Sequence, residues 1–389
     1  TNAQAQSSWT RTAVTSLFTG LLPQVHGVNG REDALAQPIH TMAEILGEAG
    51  YRPLGLVTNG NVSATFGLGQ GFNQYRHLGE SRRQISIHQL SHRINQTVFQ
   101  WFDSGDLPND KPLFIYLHAT DPHAPYTPPE AFRRRFASGV DPDIGYIANV
   151  RAITTGQKPA PDGTKEGWID LYDGEIAFND QQFGLLMDKL RALGLYEPAL
   201  IVVLSDHGEE FFDHGGWQHG RTLYGEQLRV PLIVKLPGNE AAGVRVDALA
   251  NQIDVLPTIL DYLGVEPPSA LDGQSLLPLL DGERRDQPSF SYLALGEKQV
   301  RSVITDGWKL IVDGSPERQR PVRELFRVVE DPAETRERHL ADALEAGFLH
   351  QALRGLEIGL RGRTQRFTPD RAQMSDELRE RLKTLGYIQ

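Results

Sequence analysis

Ala199-Leu200-Ile201-Val202-Val203-Leu204-Ser205-Asp206-His207-Gly208 is the stretch that decides the fold reading. It opens with an uninterrupted apolar run, the pattern of a strand covered on both faces in a mostly parallel sheet. The run stops at Ser205-Asp206-His207, and in open α/β sheets ligand sites collect beyond the carboxyl ends of the strands. Two more runs behave alike. Leu54–Val57 ends at Thr58-Asn59, and Leu113–Leu117 ends at His118, with Asp121 and His123 just beyond. Arg229–Leu236 reads as a further strand. Helical signals lie between the runs: a capping box at Thr41-Met42-Ala43-Glu44, and a stripe of Ile176, Phe183, Leu186, Leu190 and Leu193 closed by Gly194. Asp254–Leu263 reads as a helix too. Strands alternating with helices predict an α/β fold, a mostly parallel sheet between helices.

Beyond Pro267–Gly282 the pattern changes. Phe290–Leu295, Val300–Thr305 and Lys309–Val312 are short strands with tight turns such as Asp306-Gly307, which suits an antiparallel sheet. Helices follow near Leu340–Leu360 and Asp376–Leu385. We place a boundary near 285, giving a large unit over 1–285 and a small α+β subdomain over 286–389. The length of 389 residues suits about two domains. Lys and Arg number 39 against 50 Asp and Glu, a net charge of −11, which argues against a nucleic-acid partner. Cysteine is absent, which removes disulfides, thiolate metal sites and a Cys nucleophile. No apolar run approaches the roughly 18 residues of a membrane span.

The strand ends carry the chemistry. His118, Asp121 and His123 follow one run; Asp206 and His207 follow another, with Asp213, His214 and His219 downstream. A lone His is best read as a satisfied polar group. His and Asp gathered at two strand ends favour a metal site, because carboxylate and imidazole suit Zn²⁺ or Mn²⁺. At the N-terminus, Thr10–Gly20 reads as a short helix with Ala13, Val14 and Leu17 toward the core and Gly20 ending it. Thr10 would then lie at the helix start, where free N–H groups and the dipole favour an anion. Locally, a capping hydroxyl and a nucleophile are equally good readings of Thr10.

Thr10–Gly20 continuing through Val28 resembles the nucleophile helix of the sulfatase branch of the alkaline phosphatase superfamily. So do Asp121-Pro122-His123-Ala124-Pro125-Tyr126, Ser205-Asp206-His207-Gly208-Glu209, Leu223-Tyr224, Leu228-Arg229-Val230-Pro231-Leu232, Asp254-Val255-Leu256-Pro257-Thr258 and Leu271-Asp272-Gly273-Gln274-Ser275-Leu276. Trp308-Lys309-Leu310, Glu324-Leu325-Phe326 and Asp331-Pro332 extend the likeness to the C-terminal part. The resemblance implies an alkaline-phosphatase-like fold and metal-assisted ester hydrolysis, and it favours Thr10 as nucleophile. In its register Asp206 and His207 are metal ligands together with Thr10. His123 contacts the transferred group or protonates the leaving oxygen. His219 lies one residue from the place of a lysine. His118, Asp121 and Asn59 are the substrate-contact candidates. The implied substrate is a small-molecule, glycan or lipid ester.

Two departures shape the expectation. The family pattern C/S-x-P-S-R reads here Thr10-Arg11-Thr12-Ala13-Val14, so no formylglycine is expected, and Val14 stands at the Arg position. Asp206-His207 replaces the Asp-Asn of calcium-dependent members. Thr with Asp-His looks like the phosphodiesterase and phosphonate ester hydrolase relatives. That favours Mn²⁺ or Zn²⁺ over Ca²⁺ or Mg²⁺, and a phosphoester over a sulfate ester. The second departure is the family's acid-bearing first strand, for which Thr1–Trp9 offers no acid. We therefore expect that strand upstream, with weak metal binding and low activity from these residues alone. Rival readings are a phosphoglycerol or phosphoethanolamine transferase and a non-catalytic family member. Gly67-Leu68-Gly69-Gln70-Gly71 reads as a turn, Arg133-Arg134-Arg135 as a surface helix face and Val140–Lys165 as a long loop. Asp173, Glu175 and Asp180 read as a solvated face, with Asp173 the outside site candidate.

Overall fold

The computed structural model describes residues 2–78, 90–105, 107, 111–364 and 367–384. A two-residue strand β1 (Ala3–Gln4) precedes helix α1 (Thr10–Thr19). Gly20 closes α1 at φ 64°, a left-handed cap that glycine takes without a Cβ penalty. Every residue of α1 is buried. Helix α2 (Met42–Glu48) starts on the expected capping box, with Thr41 Oγ1 accepting from Glu44 N and Thr41 N donating to Glu44 Oε2.

Strands β2 (Arg52–Val57), β3 (Gln74–His77) and β4 (Leu113–His118) form a parallel sheet with β2 in the middle. Val57 is level with His118, so the carboxyl ends of β2 and β4 open at one height. Helix α3 (Leu90–Asp103) packs Ile94, Val98 and Trp101 on one face of this sheet. The other face joins Val14, Leu17 and Phe18 of α1. Helix α4 spans Thr164–Ala192, and strand β5 follows as Ile201–Leu204. β5 pairs antiparallel with a later strand, Leu232 lying opposite Leu204.

The remaining elements complete the body. A hairpin of β6 (Glu210–Phe211) and β7 (Trp217–Gln218) leaves the β5 end. β8 (Arg229–Val230) and β9 (Leu232–Lys235) divide the expected Arg229–Leu236 strand at Pro231, which has no N–H for a ladder. β8 flanks β1, and β10 (Ala250–Asn251) pairs with its other edge. Helix α5 (Val255–Leu263) packs against α1. A four-stranded antiparallel sheet follows: β11 (Ser289–Leu293), β12 (Val300–Thr305), β13 (Trp308–Asp313) and β14 (Val322–Arg327). Asp306 and Gly307 both take positive φ, 50° and 73°, as a two-residue hairpin turn requires. Helix α6 (Ala343–Thr364) covers one face of this sheet. The other face packs Leu293, Val300, Ile311 and Phe326 against Ala3, Ala5 and Trp9. The small sheet thus backs the segment that leads into Thr10. Helix α7 (Asp376–Thr384) ends the described chain.

Three expectations are corrected. The expected cover on both faces of β5 does not hold: the strand is half-buried throughout, and among the described residues it pairs on one edge only, as does β4. The stripe on α4 is not its buried face. Ile176, Phe183 and Leu193 are exposed, while Trp168, Leu171, Glu175, Phe178 and Gln182 face inward. The apolar pattern missed this face because two of its members are polar. Val140–Lys165 is not a plain loop, since it contains a helix over Ile147–Thr154 and the start of α4. Gly67–Gly71 is a turn as expected: Gly67 has φ 78°, and a Cβ there would sit 2.8 Å from the Leu35 carbonyl. Among the described residues no helix is long and apolar enough to cross a membrane.

Candidate active site

α1 delivers the threonine. Trp9 is the N-cap and makes no side-chain capping bond, so Thr10 is the first helical residue. Its hydroxyl does not serve the helix but lies 3.0 Å from His207 Nε2. His207 Nδ1 donates to the Gly208 carbonyl at 2.8 Å. That bond leaves Nε2 as the lone-pair nitrogen, and Thr10 donates into it. Asp206 Oδ2 lies 3.4 Å from the same nitrogen. Gln252 Nε2 donates to the carbonyls of Ser205 and Asp206, at 3.2 Å each, and pins the β5 end.

Electrostatics set the protonation. Burial lowers the His207 pKa, outweighing the pull of Asp206. Burial opposes charge on Asp206 too, but His207, His118 and His219 overcome it and hold the carboxyl below its usual range. An ionised carboxylate and a neutral imidazole are the forms that bind a metal. Thr10 Oγ1 and Asp206 Oδ2 both approach His207 Nε2, and this oxygen–nitrogen donor set is of the kind that holds a divalent cation. Among the described residues no cluster of three or more His, Cys, Asp or Glu forms a complete ligand set. The fit is therefore that of a partial set.

The hairpin after β5 brings a second group. His219 Nδ1 and Glu209 Oε1 lie 2.9 Å apart, with both side chains buried. Burial works against charge on His219, but Glu209 outweighs it and raises the His219 pKa; the Glu209 carboxyl is correspondingly held low by His219 against its own burial. Each shift favours the charged form of its group. The ring of His219 lies 4.1 Å from that of His207 and 5.0 Å from that of His123. His123 donates from Nδ1 to the Ala124 carbonyl at 2.6 Å, and burial, with His219 beside it, pushes its pKa down to about 4. Tyr126 donates to Glu209 Oε2 at 3.2 Å. His118, bonded to the Tyr116 hydroxyl at 2.9 Å, is kept neutral by burial and feels the Asp206 charge.

Not every expected residue joins. The Asp121 carboxylate caps α3, accepting from Ser91 N at 2.9 Å and Ser91 Oγ at 2.7 Å. Asn59 Oδ1 accepts from Asn61 N at 2.9 Å and closes a turn. Both fold the strand ends; the structure does not bring their side chains onto Thr10. Thr58 bonds Thr120 across β2 and β4. Asp213 pairs with Lys165, and His214 binds Glu226 and the Glu334 carbonyl, so neither side chain bonds Thr10, Asp206 or His207.

Three residues went unrecognised. Glu209 stood inside a quoted motif but carried no role. Glu175 was read as solvated, yet it is buried, accepts from Thr127 N at 2.9 Å, and has its pKa raised by burial, with Asp121 nearby, to about 8. Arg11 is fully buried, donates to the Arg31 carbonyl at 2.6 Å and to Asn61 Oδ1 at 2.8 Å, and rests 3.2 Å over the Phe66 ring. Burial lowers its pKa to about 9, opposed by Asp33.

Buried neutral histidines make the fold sensitive to acid. Burial pushes His26 down to about 3; its Nδ1 accepts from Val28 N and its Nε2 donates to Ser16 Oγ, each at 3.0 Å. Below the ordinary histidine value the unfolded chain binds a proton that the folded chain refuses. Stability is therefore full above about pH 6.5 and falls as the pH drops toward 3, by about 1.4 kcal/mol per pH unit for such a group. Urea unfolding at pH 7.5 and pH 5 should show this loss, and His26→Gln should reduce it. An identical loss in the variant would refute the assignment.

The Sulfatase family profile matches residues 1–265, and the profile for the N-sulphoglucosamine sulphohydrolase C-terminal region matches residues 213–353. The multifunctional alkaline phosphatase superfamily protein PehA of Trinickia caryophylli is 32% identical over 197 residues, 44% of this chain and 38% of that protein. Choline-sulfatase of Rhizobium meliloti (strain 1021) is 28% identical over 261 residues, 62% of this chain and 49% of that protein. The chain thus spans half or less of the length of these two relatives. Among solved structures, the phosphonate monoester hydrolase of Agrobacterium radiobacter superposes with a TM-score of 0.75 at 20% identity, covering 93% of this chain and 88% of that one. BT4656, in complex with D-glucosamine-2-N,6-O-disulfate, gives a TM-score of 0.77 at 18% identity, covering 96% and 92%. The ordered motifs, the α/β architecture and the profile over most of the chain agree: the protein belongs to the Sulfatase family of the alkaline phosphatase superfamily.

Proposed function

We propose that the protein is a metal-dependent ester hydrolase that prefers phosphoesters to sulfate esters and uses Thr10 as its nucleophile. The observation that carries this reading is the Thr10 hydroxyl held on His207 Nε2 beside Asp206. When bound by Asp206 and His207 against Thr10, a divalent ion, Mn²⁺ or Zn²⁺ by the donor set, supplies Lewis-acid stabilisation of negative charge. The chain's own residues do the rest. Thr10 Oγ1 releases its proton to solvent water and attacks phosphorus or sulfur, and the ester bond to the alcohol breaks. His219, charged against Glu209, gives the leaving oxygen its proton. His123, neutral and edge-on to His219, contacts the transferred group. Water then cleaves the Thr10 ester and restores the hydroxyl. The phosphonate monoester hydrolase of Agrobacterium radiobacter among the similar structures supports the substrate preference, as does a threonine that cannot form an aldehyde by the route open to Cys or Ser. We take 1–285 as the unit that bears this chemistry and 286–389 as its supporting subdomain.

The test compares kcat/KM for an aryl phosphodiester and an aryl sulfate with Mn²⁺ or Zn²⁺ added. The phosphodiester should be the better substrate, and a strong preference for sulfate overturns that part of the reading.

A further inference from the structure

The hairpin that carries Glu209 and His219 at its base ends in an aromatic tip that the hydrolytic chemistry does not use. Phe212 has φ 62°, a left-handed conformation that bulky side chains rarely adopt. Its ring is 52% exposed and stacks on Trp217, with centroids 5.1 Å apart and planes 27° apart. Trp217 is braced edge-on by the buried ring of Trp168 at 4.7 Å. Gln218 repeats the positive φ, 66°, just before His219. The chain therefore holds a half-exposed phenyl ring in a strained position on a rigid aromatic base. Asp213, the residue after Phe212, pairs with Lys165 at 3.1 Å with side chains 40% and 37% exposed, which adds an acceptor and a donor to the same hairpin. Phe212 is three residues from Glu209 and Trp217 two from His219, so at no more than about 3.3 Å per residue the stacked pair stays within about 10 Å of the Glu209–His219 base along the chain.

We propose that Phe212, stacked on Trp217, is the leaving-group subsite, taking the ring of the substrate alcohol by its apolar face and setting specificity for ring-bearing esters. The proposal rests on the ester-hydrolase reading. A pyranose and an aryl ring share the required chemistry, a flat apolar face. The Lys165–Asp213 pair favours the pyranose, whose hydroxyls bond to both groups.

Binding tests it in Thr10→Val protein, which keeps the probes intact. Methyl phosphate, phenyl phosphate and glucose 6-phosphate are titrated while tryptophan emission is followed. At least one ring ester should bind about fivefold more tightly than methyl phosphate. Phe212→Gly should abolish that advantage and leave methyl phosphate binding unchanged. Its Tm should be equal or higher, since glycine accepts the positive φ. Phe212→Tyr should keep the advantage. A stronger gain for the sugar credits the Lys165–Asp213 pair, and a stronger gain for phenyl credits the ring face alone. Ring esters bound no better than methyl phosphate, or an advantage that survives Phe212→Gly, overturns the subsite and leaves the hydrolase reading standing. Failure of all three esters to bind overturns the hydrolase reading and the subsite with it.

Discussion

Thr10→Val is expected to lower kcat of the metal-supplemented enzyme by about a thousandfold or more, the scale on which loss of a nucleophile registers. Valine keeps the branched volume at a buried helix start, so packing of α1 is retained. Trp9, not Thr10, is the N-cap, so the helix keeps its terminus. What is lost is the hydroxyl that donates to His207 Nε2 at 3.0 Å. Thr10→Ser retains that oxygen and should keep kcat within about tenfold of wild type. Steady-state kinetics on an aryl phosphodiester decide the matter, with far-UV circular dichroism confirming that both variants fold. Undiminished turnover by Thr10→Val would show that water, rather than this side chain, attacks. It would leave Thr10 a packing residue of α1.

Lys309→Met is expected to cost about 3–5 kcal/mol of stability, the penalty for stranding one partner of a buried ion pair. The Lys309 ammonium reaches both oxygens of Glu334, at 2.8 and 3.0 Å, with side chains 0% and 3% exposed. Glu334 also accepts from Gly225 N at 3.1 Å, and its carbonyl accepts from His214 Nε2 at 3.1 Å. The pair therefore joins β13 to the segment after the hairpin that carries His219. Removing the cation leaves a carboxylate with too few donors in a dry place. Lys309→Met combined with Glu334→Gln removes the uncompensated charge and should recover much of the loss. Urea denaturation at pH 7.5 measures both. A double variant no more stable than the single one would mean that packing around the lysine stem, rather than the charge, carries the effect.

The sequence by itself determined the elements whose causes are local. The apolar runs became β2, β4 and β5, because short runs rich in β-branched and aromatic residues favour the extended backbone. The capping box at Thr41 and the Asp306-Gly307 turn formed as read, since their hydrogen bonds and backbone angles are settled within a few residues. The motif register brought Thr10, Asp206, His207, His123 and His219 into view. Only the tertiary structure decided what those side chains do. The Thr10 hydroxyl was drawn away from the helix terminus by His207, 197 residues away. Glu209 became a site residue through His219 and through Tyr126, 83 residues away, and Glu175 was buried by Thr127, 48 residues away. Asp121 and Asn59, with the right chemistry at the right strand ends, were drawn into capping, Asp121 at the start of α3, 30 residues away, and Asn59 in its own turn. A polar side chain reveals its role only through the partner that meets its hydrogen bonds or its charge. In this chain those partners arrive from distant segments, so side-chain type marks the candidates and the packing of the folded chain selects among them.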